Sequence, residues 1–230
     1  MCIKCPPGYY CPSGGSDQIP CPRGTYNPRP GQADATDCVP CTIGYACTQA
    51  ALIRPDVQCF VGFVCPVGSS NPQDPDNACP PGTFSQFRNL TDKSHCEICP
   101  ERWACLRGTG GRYRPLLPCS SGHYCPAGTK YPTEHKCLAG SWSNRTNLAS
   151  AEECFPCPRG WYCLAGASIP TGRCKPGYYC PLGTQLSTQF PCPPGSYSMK
   201  LGNSRVEDCL ECPVGSYCPK ATSKPRGCPE

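Results

Sequence analysis

Twenty-six of the 230 residues are cysteine, and their spacing is periodic. The run Cys-x2-Cys-x5-Cys opens at Cys2, Cys38, Cys96, Cys154 and Cys209. Sixteen residues separate each later opening from the cysteine before it: Cys21 from Cys38, Cys79 from Cys96, Cys137 from Cys154, and Cys192 from Cys209. Spacing this regular marks a repeat array organised by cysteine chemistry. Arrays extend length or binding surface more often than they build one active site.

Composition supports that reading. Cysteine above a tenth of the chain is a disulfide-scaffold signal, and 31 prolines with 24 glycines leave little for a continuous core. The chain reads as a string of mini-domains of roughly 35–60 residues, each too small to fold on burial alone. Persistent disulfides imply an oxidising place, extracellular or at the cell surface. A net charge of +5 with scattered basic residues builds no nucleic-acid face. No run of 18 apolar residues predicts direct membrane insertion in this segment. No signal peptide precedes the first motif. Met1 fills the slot held later by Asp37, His95, Glu153 and Asp208, so the expectation is a segment of a longer array.

The repeats are expected at 2–37 with four cysteines, at 38–95, 96–153 and 154–208 with six each, and at 209–230, cut short. The six-cysteine repeats add one Cys-x5-Cys pair: Cys59/Cys65, Cys119/Cys125 or Cys174/Cys180. If each such pair closes on itself, gaining one disturbs no other bond. Local bonds are therefore favoured: Cys5–Cys11, Cys41–Cys47, Cys59–Cys65, Cys99–Cys105, Cys119–Cys125, Cys157–Cys163, Cys174–Cys180 and Cys212–Cys218. The long loops close as Cys21–Cys38, Cys79–Cys96, Cys137–Cys154 and Cys192–Cys209. Cys2 and Cys228 are left over, at complementary ends of the period. Crossed pairing, such as Cys41–Cys59 with Cys47–Cys65, stays open, because connectivity does not follow from sequence.

Glycine holds the fourth position of seven of the eight short loops, as in CPPGYYC and CKPGYYC, where a turn needs positive φ. Arg102 is the exception, and its turn is expected to differ. Aromatics near each closing cysteine suggest rings stacked on disulfides. The long loops open Gly24-Thr25-Tyr26-Asn27, Gly82-Thr83-Phe84-Ser85, Gly140-Ser141-Trp142-Ser143 and Gly195-Ser196-Tyr197-Ser198. That alternation predicts a short strand returning before the next Cys-x2-Cys. The expected fold is an elongated rod of small disulfide-rich repeats, with short β-hairpins, irregular loops and almost no helix.

Four copies of C-x2-G-[ST]-[YFW]-[NS]-x10-C-x2-C resemble the ephrin-receptor-like, or GCC2/GCC3, cysteine-rich repeat. The resemblance covers nearly the whole chain. It implies an extracellular disulfide module of the kind found in receptor ectodomains, matrix proteins and protist or algal surface proteins, mastigonemes among them. The interposed CPPGYYCP-type loops depart from the receptor pattern and look more like long tandem surface arrays.

Two sequons, Asn89-Leu90-Thr91 and Asn144-Arg145-Thr146, fall at about the same phase of successive repeats and are expected to carry N-glycans. Zinc knuckles fit the Cys-x2-Cys element but not its distant spacing or the three histidines. Five equivalent Cys-x2-Cys pairs outside a βαβ setting argue against redox catalysis. No catalytic, metal or cofactor residues are assigned, and the chain is read as a non-enzyme. The leading expectation is a glycosylated, disulfide-stapled rod that self-associates into a surface fibre, flagellar hair or coat. The alternative is a receptor or adhesin stalk, or a cysteine-rich surface antigen, that binds another extracellular protein or glycan through aromatics such as Trp103, Trp142 and Trp161.

Overall fold

The computed structural model describes residues 4–12, 17–112 and 114–228; Cys2 lies outside them. One local motif generates the fold. Each Cys-x2-Gly segment makes a β-turn whose third residue after the cysteine has a φ between 74° and 87°. The following N–H closes the turn, as from Thr25 to the Pro22 carbonyl at 3.1 Å and from Tyr178 to Lys175 at 3.1 Å. Positive φ at that place is the mark of a type II turn, which glycine forms without strain. The turn launches a two-residue strand such as Thr25–Tyr26, and the chain returns antiparallel as Val39–Pro40.

Among the described residues eleven such two-stranded ribbons form, and a single bridge, Phe63 to Ala78, marks a twelfth. The next cysteine seals each one. Its N–H donates to the carbonyl of the turn residue: Cys21 to Gly8 at 2.9 Å, Cys137 to Gly122 at 2.9 Å, and Cys228 to Gly215 at 3.1 Å. A hairpin thus runs from one Cys-x2-Gly to the next, 16 to 20 residues on. In the long-loop hairpins the return strand does not precede the Cys-x2-Cys, as alternation predicted. It lies inside it, as Val39–Pro40, Glu97–Ile98, Phe155–Pro156 and Leu210–Glu211. Proline is tolerated there because a two-stranded ribbon leaves one edge free of donors. Among the described residues helix is confined to three-residue 3-10 turns, four of them directly before Cys38, Cys96, Cys154 and Cys209.

Twelve disulfides close among the described residues. Eight span six positions: Cys5–Cys11, Cys41–Cys47, Cys59–Cys65, Cys99–Cys105, Cys119–Cys125, Cys157–Cys163, Cys174–Cys180 and Cys212–Cys218. Four span 17: Cys21–Cys38, Cys79–Cys96, Cys137–Cys154 and Cys192–Cys209. Every one lies within a single hairpin. Cys228 is free and exposed. The sulfurs are the core, and most of these cysteines are fully buried. The expected ring on a disulfide is found at Phe63, packed with Cys59 and Cys65. Elsewhere rings pair across the ribbon: Tyr124 with His135 at 5.5 Å, Trp142 with Phe155 at 6.0 Å, and Tyr179 with Phe190 at 5.8 Å.

The two loop classes are one design with one substitution. The sixth residue after the opening cysteine is the disulfide partner in short loops. In long loops it is Asn27, Ser85, Ser143 or Ser198, each at most 2% exposed. These side chains accept from the backbone N–H two residues on: Asn27 Oδ1 from Arg29 at 3.0 Å, and Ser143 Oγ from Arg145 at 3.2 Å. A buried polar turn stands where a sulfur otherwise would, and its hydrogen bond answers the cost of burial.

The described residues form two compact bodies. The first comprises Met1–Cys99, Ala104–Leu117 and Gly128–Tyr131; the second comprises Pro100–Trp103, Pro118–Ala127 and Pro132–Glu230. Within each, hairpins are joined by backbone hydrogen bonds. The turn residue's N–H donates to the next hairpin, as from Gly24 to Cys47 at 2.9 Å in the first and from Gly140 to Cys163 at 2.8 Å in the second. The opening cysteine's carbonyl accepts from a second left-handed residue there. Ala51 donates to Cys21 at 2.9 Å in the first body, and Gly183 donates to Cys157 at 2.9 Å in the second. That residue's carbonyl then presses on the turn glycine two hairpins back. A Cβ on Gly82 would meet the Gly128 oxygen at 2.4 Å, and one on Gly140 would meet the Gly183 oxygen at 2.3 Å. Glycine is therefore required twice over, by φ and by space.

The Arg102 turn does not differ in its backbone. Arg102 has φ +75°, donates its N–H to Cys125 at 2.7 Å and accepts from Cys119 at 3.3 Å, like the glycines. Its guanidinium donates to the Asn147 carbonyl at 2.9 Å and pairs with Glu153 at 3.1 Å. That side chain occupies the seam a bare glycine would otherwise share with a carbonyl. It offsets part of the left-handed cost of about 1–2 kcal/mol.

Two substitutions separate the roles of glycine. Gly195 has φ +83° but nothing within 4 Å of its missing Cβ, whereas Gly140 faces the Gly183 oxygen. Gly195→Ala is expected to lose only the left-handed cost of about 1–2 kcal/mol. Gly140→Ala should lower the guanidinium unfolding midpoint of the oxidised protein clearly further. Equal shifts would show that the inter-hairpin seam does not require glycine.

Candidate functional surface

The residue before each long-loop closing cysteine works as a clasp. Asp37 Oδ2 accepts from the N–H groups of Ala33 at 3.2 Å and Asp34 at 3.0 Å. Asp208 Oδ2 accepts from Ser204 at 2.7 Å and Arg205 at 3.1 Å. Glu153 Oε1 accepts from Ala149 at 3.0 Å. The Ala149 N–H and then the Arg102 guanidinium hold the Glu153 carboxyl below its ordinary 4.5. The Ser204 N–H does the same for Asp208 relative to 3.8. His95 fills the slot differently, with Nδ1 3.4 Å from Thr91 Oγ1. These carboxylates fasten their loops.

The three tryptophans lie on the first strands of three hairpins: Trp103–Ala104, Ser141–Trp142 and Trp161–Tyr162. All are half-buried. Trp103 and Trp161 take the first strand position and Trp142 the second, and adjacent strand residues point to opposite sides. Trp142 meets Phe155, and the Arg145 guanidinium lies over the Phe155 ring at 4.9 Å from its centre. Arg173 covers Trp161 at 5.4 Å. Both of these rings are thus covered within their own hairpins.

The most distinctive concavity lies in the first body, where the sequence leaves its pattern. The short loop Cys59-Phe60-Val61-Gly62-Phe63 is apolar where others carry proline or polar residues. Phe60, Val61, Phe63, Gln73, Gly110 and Arg114 line a groove of about 530 Å³. Two guanidinium groups rest on its rings, Arg88 over Phe60 at 5.5 Å and Arg114 over Phe63 at 5.4 Å. Gly110 lets the strand approach: a Cβ there would meet the Ser85 oxygen at 2.4 Å. The groove was missed because its parts are 50 residues apart; the signal was the unmatched Gly110-Gly111 pair.

The two sequons are not in phase. Asn89 is the tenth residue after Cys79, whereas Asn144 is the seventh after Cys137. The counterpart of Asn89 is Asn147: both are left-handed, with φ +61° and +60°, and both bury their Oδ1. Asn144 is exposed.

Among the described residues no group of three or more His, Cys, Asp or Glu is arranged to hold a metal ion, and no helix is long and apolar enough to cross a membrane.

No family model matches the chain. It is 31% identical over 112 residues to signal peptide, CUB and EGF-like domain-containing protein 3 of Mus musculus, a match covering 41% of this chain and 11% of that protein. It is also 65% identical over 26 residues to the ABC-type transporter claG of Penicillium crustosum, covering 11% of this chain and 4% of that one. The chain therefore spans only a small part of either relative. With twelve disulfides in repeated hairpins, the first match supports a cysteine-rich extracellular repeat protein.

The clasps give a pH dependence with a definite sign. Folding depresses the Glu153 and Asp208 carboxyls, so their stabilisation is present above the ordinary carboxylate range and lost as pH falls through the folded values. The unfolding midpoint is expected to stay level near neutrality and fall on acidification below about 4. Glu153→Gln should cost under about 1 kcal/mol at pH 7, because the pair is partly exposed, and should flatten the acid limb. An acid limb unchanged in Glu153→Gln would remove Glu153 from this account.

Proposed function

We propose that the chain is a structural segment of an extracellular, non-enzymatic assembly, a surface fibre, hair or coat. The observation that carries this reading is the repetition itself. One backbone motif recurs twelve times, its regular spacing serving turns, staples and seams, while acidic side chains act as clasps. The word signal peptide in the mouse relative's name supports a secreted setting. Exposed apolar side chains, such as Ile98 and Leu138 at 69% each, supply the means for copies to associate. In sedimentation velocity the oxidised protein should form larger species as concentration rises, and Ile98→Asp with Leu138→Asp should weaken them. A protein that stays monomeric throughout would rule the assembly out.

A second reading, a ligand-binding ectodomain segment, is favoured by the Phe60–Phe63 groove. Its two arginines suit an anionic ligand, since guanidinium groups pair with carboxylate or sulfate. Under this reading immobilised heparin oligosaccharide retains the protein, and Arg88→Ala with Arg114→Ala abolishes retention. Retention unaffected by the pair would discard the groove as a ligand site.

A further inference from the structure

We propose that Asn144 carries an N-linked oligosaccharide and that Asn89, the other Asn-x-Thr position, is bare in the secreted protein. This rests on the extracellular reading above. The two sequons lie in loops of equal size, Cys79–Cys96 and Cys137–Cys154, each spanning 17 positions. Loop length therefore gives neither an advantage before the disulfide closes. The difference lies in the folded seat.

Asn89 is part of a seam. Its N–H donates to the Cys59 carbonyl at 3.3 Å, and its own carbonyl and Cβ lie 3.2 and 3.3 Å from where a Cβ on Gly44 would stand. Its Oδ1 is buried. Among the described residues that oxygen has no hydrogen-bond partner, so its packing limits how far the side-chain amide can turn. Thr91, the hydroxyl of that sequon, stands 3.4 Å from His95 Nδ1. The same left-handed place is held by Asn147 and elsewhere by glycine, as at Gly31 and Gly202. Asn is the side chain best tolerated in that conformation. The asparagine at 89 is thus explained by the backbone alone, and a sugar there would load a residue whose backbone and Cβ hold the seam.

Asn144 has no such duty. Its right-hand neighbour Arg145 is fixed by donating its N–H to Ser143 Oγ and by stacking on Phe155, which meets Trp142. Asn144 and Thr146 are both exposed, and among the described residues the Asn144 side chain makes no hydrogen bond. Nδ2 can take an oligosaccharide from a lipid-pyrophosphate donor. The Nδ2–C1 bond forms, the C1–oxygen bond to the pyrophosphate breaks, the lipid pyrophosphate leaves with that electron pair, and the amide loses one proton.

The chain is expressed behind a secretory leader in a eukaryotic cell, and the secreted protein is mapped by peptide mass spectrometry before and after amidase removal of N-glycans. The expected result is glycan on the peptide holding Asn144, which Asn144→Gln and Thr146→Val each abolish, and bare peptide at Asn89. Asn89→Gly should leave the pattern and the yield unchanged, whereas Asn89→Gln should lower the yield. A disulfide-bonded, secreted protein bare at Asn144, or one equally modified at Asn89, overturns the assignment. Retention in the cell as reduced, misbonded chains would instead count against the extracellular reading on which it rests.

Discussion

The hydrogen bond from each opening cysteine to the turn residue of the hairpin before it is the constraint on which everything else depends. Cys137 N–H reaches Gly122, and Cys157 N–H reaches Gly140, both within 2.9 Å. The bond places one cysteine at the end of a ribbon and at the start of the next turn. Once it forms, the sulfur of the new turn is within reach of its partner six or 17 positions on. The disulfides do not choose the fold so much as lock a backbone that type II turns already impose. Each local lock is worth about 2–4 kcal/mol, chiefly by restricting the unfolded chain.

The same frame accepts two ways of filling one buried point. Where a short loop places Cys163, a long loop places Ser143, and both are fully buried. Moving the staple to Cys137–Cys154 frees the sixth position for an oxygen that satisfies its own turn. The exchange lets hairpins with different outer loops stack by the same bonds, because the inter-hairpin contacts are made by backbone. Gly122 donates to the Ser143 carbonyl at 2.8 Å, and Gly140 donates to the Cys163 carbonyl at 2.8 Å. Side chains on the outer loops are then at liberty to differ, as they do at Phe60–Phe63.

Much of this was legible in the residues. The cysteine spacing carried the local pairing, and the turn glycines announced positive φ. The shared phase of the two loop classes stayed hidden, because Cys-x2-Gly followed by Tyr-Tyr-Cys and Cys-x2-Gly followed by Thr-Tyr-Asn look like different motifs. Only backbone bonding shows Cys11 and Asn27 to be equivalent. Arg102 misled because sequence speaks of propensity and not of the compensating partners, Asn147 and Glu153, that tertiary structure brings to it. The sequons misled only in phase: Asn89 matches Asn147 and not Asn144, because the same letters spell an acceptor site and a left-handed backbone. The groove at Phe63 needs Arg114, a contact no local pattern encodes.

That every staple begins and ends in its own hairpin has a mechanical consequence. Pulled from its ends, the chain transmits tension through the disulfides and not through the residues they enclose. The loops 21–38 and 41–47 stay shut, and only the two residues between them lie on the loaded path. The free links are longer elsewhere, as between Cys47 and Cys59 or Cys105 and Cys119. Under oxidising conditions such a chain yields in short, limited steps. Reduction returns the enclosed residues to the loaded path, so its reach under load is set by the redox state of its surroundings.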